Sequence, residues 1–128
     1  MIRGERRLKL NVYSKIEKFL IENRIIDERK IWCYAHMKAK MKFIEEPVEI
    51  YGLTLVCVNQ EELFLYGTEV NSTDLKLVWK THISEIENIS TKKIFFGLRT
   101  KLFFSKGVEN FEFEMSEWKR FEAIFQEK

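Results

Sequence analysis

Proline occurs once in these 128 residues, and glycine only five times. So few chain breakers leave room for long elements and argue against a disordered chain. The glycines are scattered, so no Gly-rich loop is present to cradle a phosphate. Two cysteines, Cys33 and Cys57, are too few to staple a small secreted scaffold. Both fall on apolar strand faces and read as free core thiols of a reducing cytosol. The two histidines, His36 and His82, have no Cys, Asp or Glu at a metal-ligand spacing, so neither a metal nor a cofactor is expected. No run of about 18 apolar residues exists to span a membrane. The opening MIRGERRLKL carries charge with no apolar segment behind it, so a secretory signal is not expected either. The expected location is cytoplasmic, with the inner face of the membrane as the second possibility.

What is present is aromatic and unevenly charged. Aromatics make up 14% of the chain, with 11 Phe, which suits a sheet-rich fold with one real core. The length predicts one structural domain, with an N-terminal arm and helix over residues 1–27 and the main body over 28–128. The net charge of +2 conceals a split. Residues 1–42 hold twelve Lys and Arg against five Asp and Glu, a net +7; residues 43–128 hold ten against fifteen, a net −5. The front half could meet an anionic partner, or be a solvated face. Arg3, Arg6, Arg7 and Lys9 form a basic arm, but the whole lacks the basic balance of a nucleic-acid binder, and nucleic acid is not expected as a partner.

Periodicity predicts a helix near 12–24, with Ser14 and Glu17 as a capping box and Ile16, Phe19 and Leu20 as a narrow apolar stripe. Residues 31–42 then alternate. Ile31, Cys33, Ala35, Met37, Ala39 and Met41 form one set; Trp32, Tyr34, His36, Lys38, Lys40 and Lys42 form the other. Period 2 over twelve residues predicts a strand, against the helix propensity of Ala, Met and Lys, and both remain open at this point. A turn is expected over Ile44–Pro47. A hairpin follows, with strands at 53–58 and 63–66 around Asn59–Glu62. Both strands are apolar on both faces, so the outer face needs cover from the N-terminal helix or from a second subunit. Leu75, Leu77 and Trp79 alternate with lysines, and His82–Ser90 carries Ile83, Ile86 and Ile89. The chain is expected to turn at Thr91–Lys93 and to run as a strand over 94–104 with a bend at Gly97. After a turn at Ser105–Gly107 comes the last strand, 108–114. Ser116 then starts a helix with Trp118, Phe121, Ile124 and Phe125 on one face.

Three segments carry a resemblance. GLTLVCVNQEELFLYG (52–67) resembles the paired strands of the bacterial pleckstrin-homology-like (PH-like), GRAM-like domains. VWKTHISEIENIS (78–90) is similar to that family's strand followed by an Ile-x-x-Ile-x-x-Ile stretch. LRTKLFFSKGVENFEFEMSEWKRFEAIF (98–125) resembles its final hairpin and capping helix, with Trp118 where such helices commonly carry Trp. The resemblance covers about residues 28–125. It implies a mainly β, α+β fold: a seven-stranded, bent antiparallel sheet or half-barrel capped by the C-terminal helix, with the N-terminal helix as an addition. It also implies a binding platform rather than an enzyme.

Lys38, Lys40 and Lys42 are the candidate site, three cations on one strand face that could meet clustered phosphate oxygens. Some PH domains hold inositol phosphates with basic residues on the first strand. Here Glu45, Glu46 and Glu49 follow at once and oppose such a site. Cys33 and His36 would point to opposite faces of a strand and so cannot pair as nucleophile and base. Glu85/Glu87 and Glu112/Glu114 read as solvated faces. No catalytic residue is identified. The expected function is a non-enzymatic PH-like module for protein–protein contact, self-association included. The alternative is anionic-lipid binding through the basic strand, and the second alternative a small-ligand carrier on a cystatin-like or lipocalin-like fold.

Overall fold

The computed structural model describes residues 15–43, 46–70, 72–116 and 118–126, with the backbone alone at 39–51, 118, 120 and 126. Residues 15–22 are helical (α1). Seven strands follow: β1 (Trp32–Phe43), β2 (Glu46–Asn59), β3 (Glu62–Gly67), β4 (Lys76–His82), β5 (Glu87–Ile94), β6 (Arg99–Lys106) and β7 (Glu109–Met115). The helix α2 (Trp118–Gln126) ends the described chain. All neighbouring strands are antiparallel, in the order β4-β3-β2-β1-β7-β6-β5.

The twelve-residue alternation is strand β1, and its two faces meet different partners. Ile31, Cys33, Ala35 and Met37 enter the main core with Val56, Leu65, Leu102, Phe113 and Phe121. Trp32 and Tyr34 turn the other way, to a second cluster formed with Ile16, Leu20, Ile26, Leu55 and Cys57. That cluster covers the doubly apolar hairpin: α1 and the segment behind it lie over β2 and β3, with Phe64 and Tyr66 half-buried at its margin.

Local chemistry holds this layer in place. Arg24, at φ 56°, closes α1 in a left-handed residue. The Ile25 N–H donates to the Leu20 carbonyl and the Arg24 N–H to that of Ile21, the paired bonds of a Schellman ending. Glu17 accepts from the Trp32 indole Nε1 at 2.9 Å, tying the helix to β1. Ser14, the other half of the expected capping box, lies outside the described residues, as does the side chain of Trp118.

Although its ladder stays open, the sheet is strongly bent. Trp79, on edge strand β4, lies 4.3 Å from Phe111 on β7, ring centre to ring centre. Those strands stand four places apart in the order. Phe104 sits 5.0 Å from Phe111 and 5.4 Å from Phe113, and Phe125 of α2 joins the stack at 6.3 Å. Ile83 and Ile86 of the Ile-rich stretch are buried around a short 3₁₀ turn, Ile83–Glu85, that links β4 to β5.

Two boundaries differ from the sequence reading. β2 begins at Glu46, so Pro47 lies within a strand rather than a turn. β3 pairs only with Thr54–Asn59, so one edge of Glu46–Leu53 has no ladder partner among the described residues. An unpaired strand edge is where a residue without N–H is tolerated. β5 continues through Thr91–Lys93 to Ile94, and the chain turns instead at Phe95–Gly97. β5 is an edge strand exposed over most of its length, so its polar residues are compatible with a strand.

Candidate functional site

The lysine stripe sits at one end of β1. Lys38 is exposed and stands opposite Tyr51 of β2 and Glu112 of β7. Lys40 stands opposite Glu49 and Asn110, and Lys42 opposite Pro47. The side chains of Lys40 and Lys42 lie outside the described ones. Directly opposed strand residues share a face, so this register puts Glu112 and Glu49 beside two of the three cations. His36 is exposed on the same face, while Cys33 is buried on the other.

The remaining polar residues of interest form local contacts. His82 Nε2 lies 3.0 Å from Glu61 Oε2, while its Nδ1 accepts from the Ser84 N–H. Glu85 is 2.7 Å from Lys106 Nζ, and that bond, with a second from Thr81, holds its carboxyl below the usual value. Lys106 also lies 5.8 Å above the Trp79 ring. Cys33 and Cys57 are free and buried. Cys33 is opposite Val56, and Trp32 opposite Cys57, so the thiols face opposite sides of the sheet. Burial pushes the Cys57 thiol far above its usual range, which makes it a poor nucleophile. Among the described residues, no three His, Cys, Asp or Glu side chains gather as a metal site, and no helix is long and apolar enough to cross a membrane.

The feature the sequence reading passed over is the β5–β6 turn. Phe95 is 61% exposed, Leu98 75%, and Phe96 fully so. Phe95, Phe96 and Gly97 are consecutive left-handed residues, with φ of 51°, 57° and 85°. Glycine takes that conformation freely, whereas a bulky aromatic is disfavoured there. Two hairpin strands carry cations to this tip. Lys92 stands directly opposite Lys101, a like-charge pairing that costs stability, and Ile94 stands opposite Arg99. Arg99 Nε lies 2.9 Å from Glu114 Oε1, a charge contact too bent for a hydrogen bond, and its Nη2 donates to the Glu114 carbonyl at 3.4 Å. Lys92, Lys93 and Lys101 make no ion pair among the described residues.

A signal for this tip exists in the sequence. Thr91–Val108 holds five Lys and Arg and no Asp or Glu, inside the half of the chain that is acidic overall. Exposed aromatics at its centre could not be foreseen, because apolar runs usually mean burial. The tip and the lysine stripe are well separated. Thr100 and Ala35 both pair with Met115, whereas Lys40 pairs with Asn110 near the β6–β7 turn. Five residues of strand, about 17 Å, lie between the two levels. Compared with known proteins, the chain matches no family model, and no curated protein matches it significantly.

Proposed function

We propose that this chain is a non-enzymatic PH-like binding module that presents the outside of a filled half-barrel to a macromolecular partner. One observation carries the reading: Trp79 of the edge strand lies against Phe111, with Phe104, Phe113 and Phe125 stacked behind it. A carrier needs an internal cavity of several hundred Å³, and aromatics stand where this fold would keep one. Seven antiparallel strands in one bent sheet and a terminal helix support the reading, since the family resemblance implies both. With the interior filled, recognition falls to the surface.

Self-association draws less support than the hairpin 53–66 alone suggested, because Ile16, Leu20 and Ile26 lie over that hairpin. Lipid binding through the Lys38–Lys42 stripe is opposed by Glu49 and Glu112 in the facing register positions. Native mass spectrometry of the gently purified chain tests the module reading. The expected mass is that of the bare polypeptide. A small apolar molecule that co-purifies and leaves only on unfolding would overturn the reading in favour of a carrier.

A further inference from the structure

The geometry points to the β5–β6 turn as a membrane anchor: Phe95, Phe96 and Leu98 enter the boundary layer of an anionic bilayer, and the flanking cations meet its headgroups. This rests on the reading of the chain as a surface-binding module and names its partner. The two aromatics and the leucine form a convex tip, with the Leu98 N–H donating to the Phe95 carbonyl across the turn at 3.1 Å. Lys92 and Lys101 lie on one face of the hairpin, and Lys93 lies on the other, opposite Thr100. Lys93 and Arg99 are each three residues from Phe96, about 10 Å along the chain. Apolar groups of interfacial anchors sit roughly 5–10 Å below the headgroups. Inserting the tip therefore brings the cations to headgroup level on both sides.

Charge complementarity selects this occupant. A plane of anionic headgroups surrounds an inserted tip and can neutralise cations on both faces at once. A second copy of the same tip would instead bring like charges together. The Thr91–Val108 segment itself holds no carboxylate; Glu114 of β7 stands opposite Lys101 and pairs with Arg99, so Lys92 and Lys93 carry most of the attraction to the surface. The site is distinct from the lysine stripe, which occupies the other level of β1.

Vesicle sedimentation tests the assignment, with phosphatidylcholine alone against phosphatidylcholine containing phosphatidylserine, at low and raised salt. The wild type is expected to sediment with the phosphatidylserine vesicles and to release as salt screens the attraction. Each cation near an anionic surface is worth about a fivefold change in affinity. The triple variant Lys92→Glu/Lys93→Glu/Lys101→Glu is therefore expected to lose at least about 100-fold. The double variant Phe95→Ser/Phe96→Ser is expected to keep only weak, salt-sensitive attraction, and Lys38→Glu to bind like the wild type. Lys101 is half-buried and the other side chains are exposed, so an unchanged melting temperature checks that the fold survives. Failure of the wild type to sediment, or wild-type binding by both tip variants, overturns the anchor. So does a tip variant that alters only self-association in sedimentation velocity, since the occupant would then be a second copy. A negative vesicle result with a ligand-free chain in native mass spectrometry leaves the module reading standing; a co-purified ligand removes that reading whatever the vesicles show.

Discussion

Replacing Asp27 by Asn removes the charge that fastens the segment behind α1 to the β2–β3 turn. One carboxylate oxygen accepts the Gln60 N–H at 2.7 Å, and the other accepts the Arg29 N–H at 2.9 Å. The Arg29 guanidinium pairs with the same carboxylate at 2.7 Å and donates to the Gln60 carbonyl at 2.6 Å. Chiefly through the Arg29 side chain, these bonds lower the Asp27 pKa from 3.8 to about 2. A difference of that size is worth at most about 2.5 kcal/mol. The Arg29 side chain is 43% exposed, so screening trims this to about 1–2 kcal/mol.

The folded-state value is the lower one, which fixes the sign. The stabilisation is fully present above the unfolded value and disappears as pH falls through the folded one, between about pH 4 and pH 2. Urea denaturation of wild type and Asp27→Asn at neutral pH, near pH 3 and near pH 2 reads this directly. The wild type should lead by about 1–2 kcal/mol at neutral pH, by roughly half as much near pH 3, and by little near pH 2, where a protonated carboxyl resembles an amide. A lead that is as large near pH 2 as at neutral pH would refute the reasoning, because the contribution would then not come from the charge.

Trp79→Ala is expected to cost about 2–4 kcal/mol in urea denaturation, because the ring is only partly buried. A double-mutant cycle with Phe111→Ala should return a coupling of about 0.5–1.5 kcal/mol, whereas a coupling near zero would mean that the two rings do not meet across the bent sheet. Leu20→Asp should loosen α1 from Leu55 and Cys57 and expose the apolar hairpin, so the variant should self-associate in sedimentation velocity; a variant that stays monomeric would show that the hairpin needs no cover. Phe96→Asn should raise stability by about 1 kcal/mol, since Asn tolerates the left-handed conformation better, and a loss of stability would mean that Phe96 contributes packing that its exposure does not indicate.

The legible parts of the sequence are those where one local pattern coincides with burial. The period-2 run is legible as β1 because Ile31, Cys33, Ala35 and Met37 meet one apolar layer while Trp32 and Tyr34 meet another, which no helix could arrange. Phe121 and Phe125 were readable as the core face of the last helix for the same reason. The errors fall on edges, where pattern and burial separate. Ile44–Pro47 reads as a turn, yet Pro47 lies in β2, where an unpaired edge accepts it. Thr91–Lys93 reads as a turn because it is polar, yet an edge strand needs little apolar surface. Phe95–Leu98 reads as strand because it is apolar, yet it is the turn and is exposed. Stability alone does not account for that last case. Two aromatics in left-handed conformations cost about 1–2 kcal/mol each, and their exposure forgoes the burial that would offset it. A polar Asn-Gly turn would serve the fold better. Where a sequence breaks a local rule with no gain inside the molecule, a functional site is the expected reason. For a tip ringed by Lys92, Lys93, Arg99 and Lys101, that site is one for an anionic, partly apolar surface.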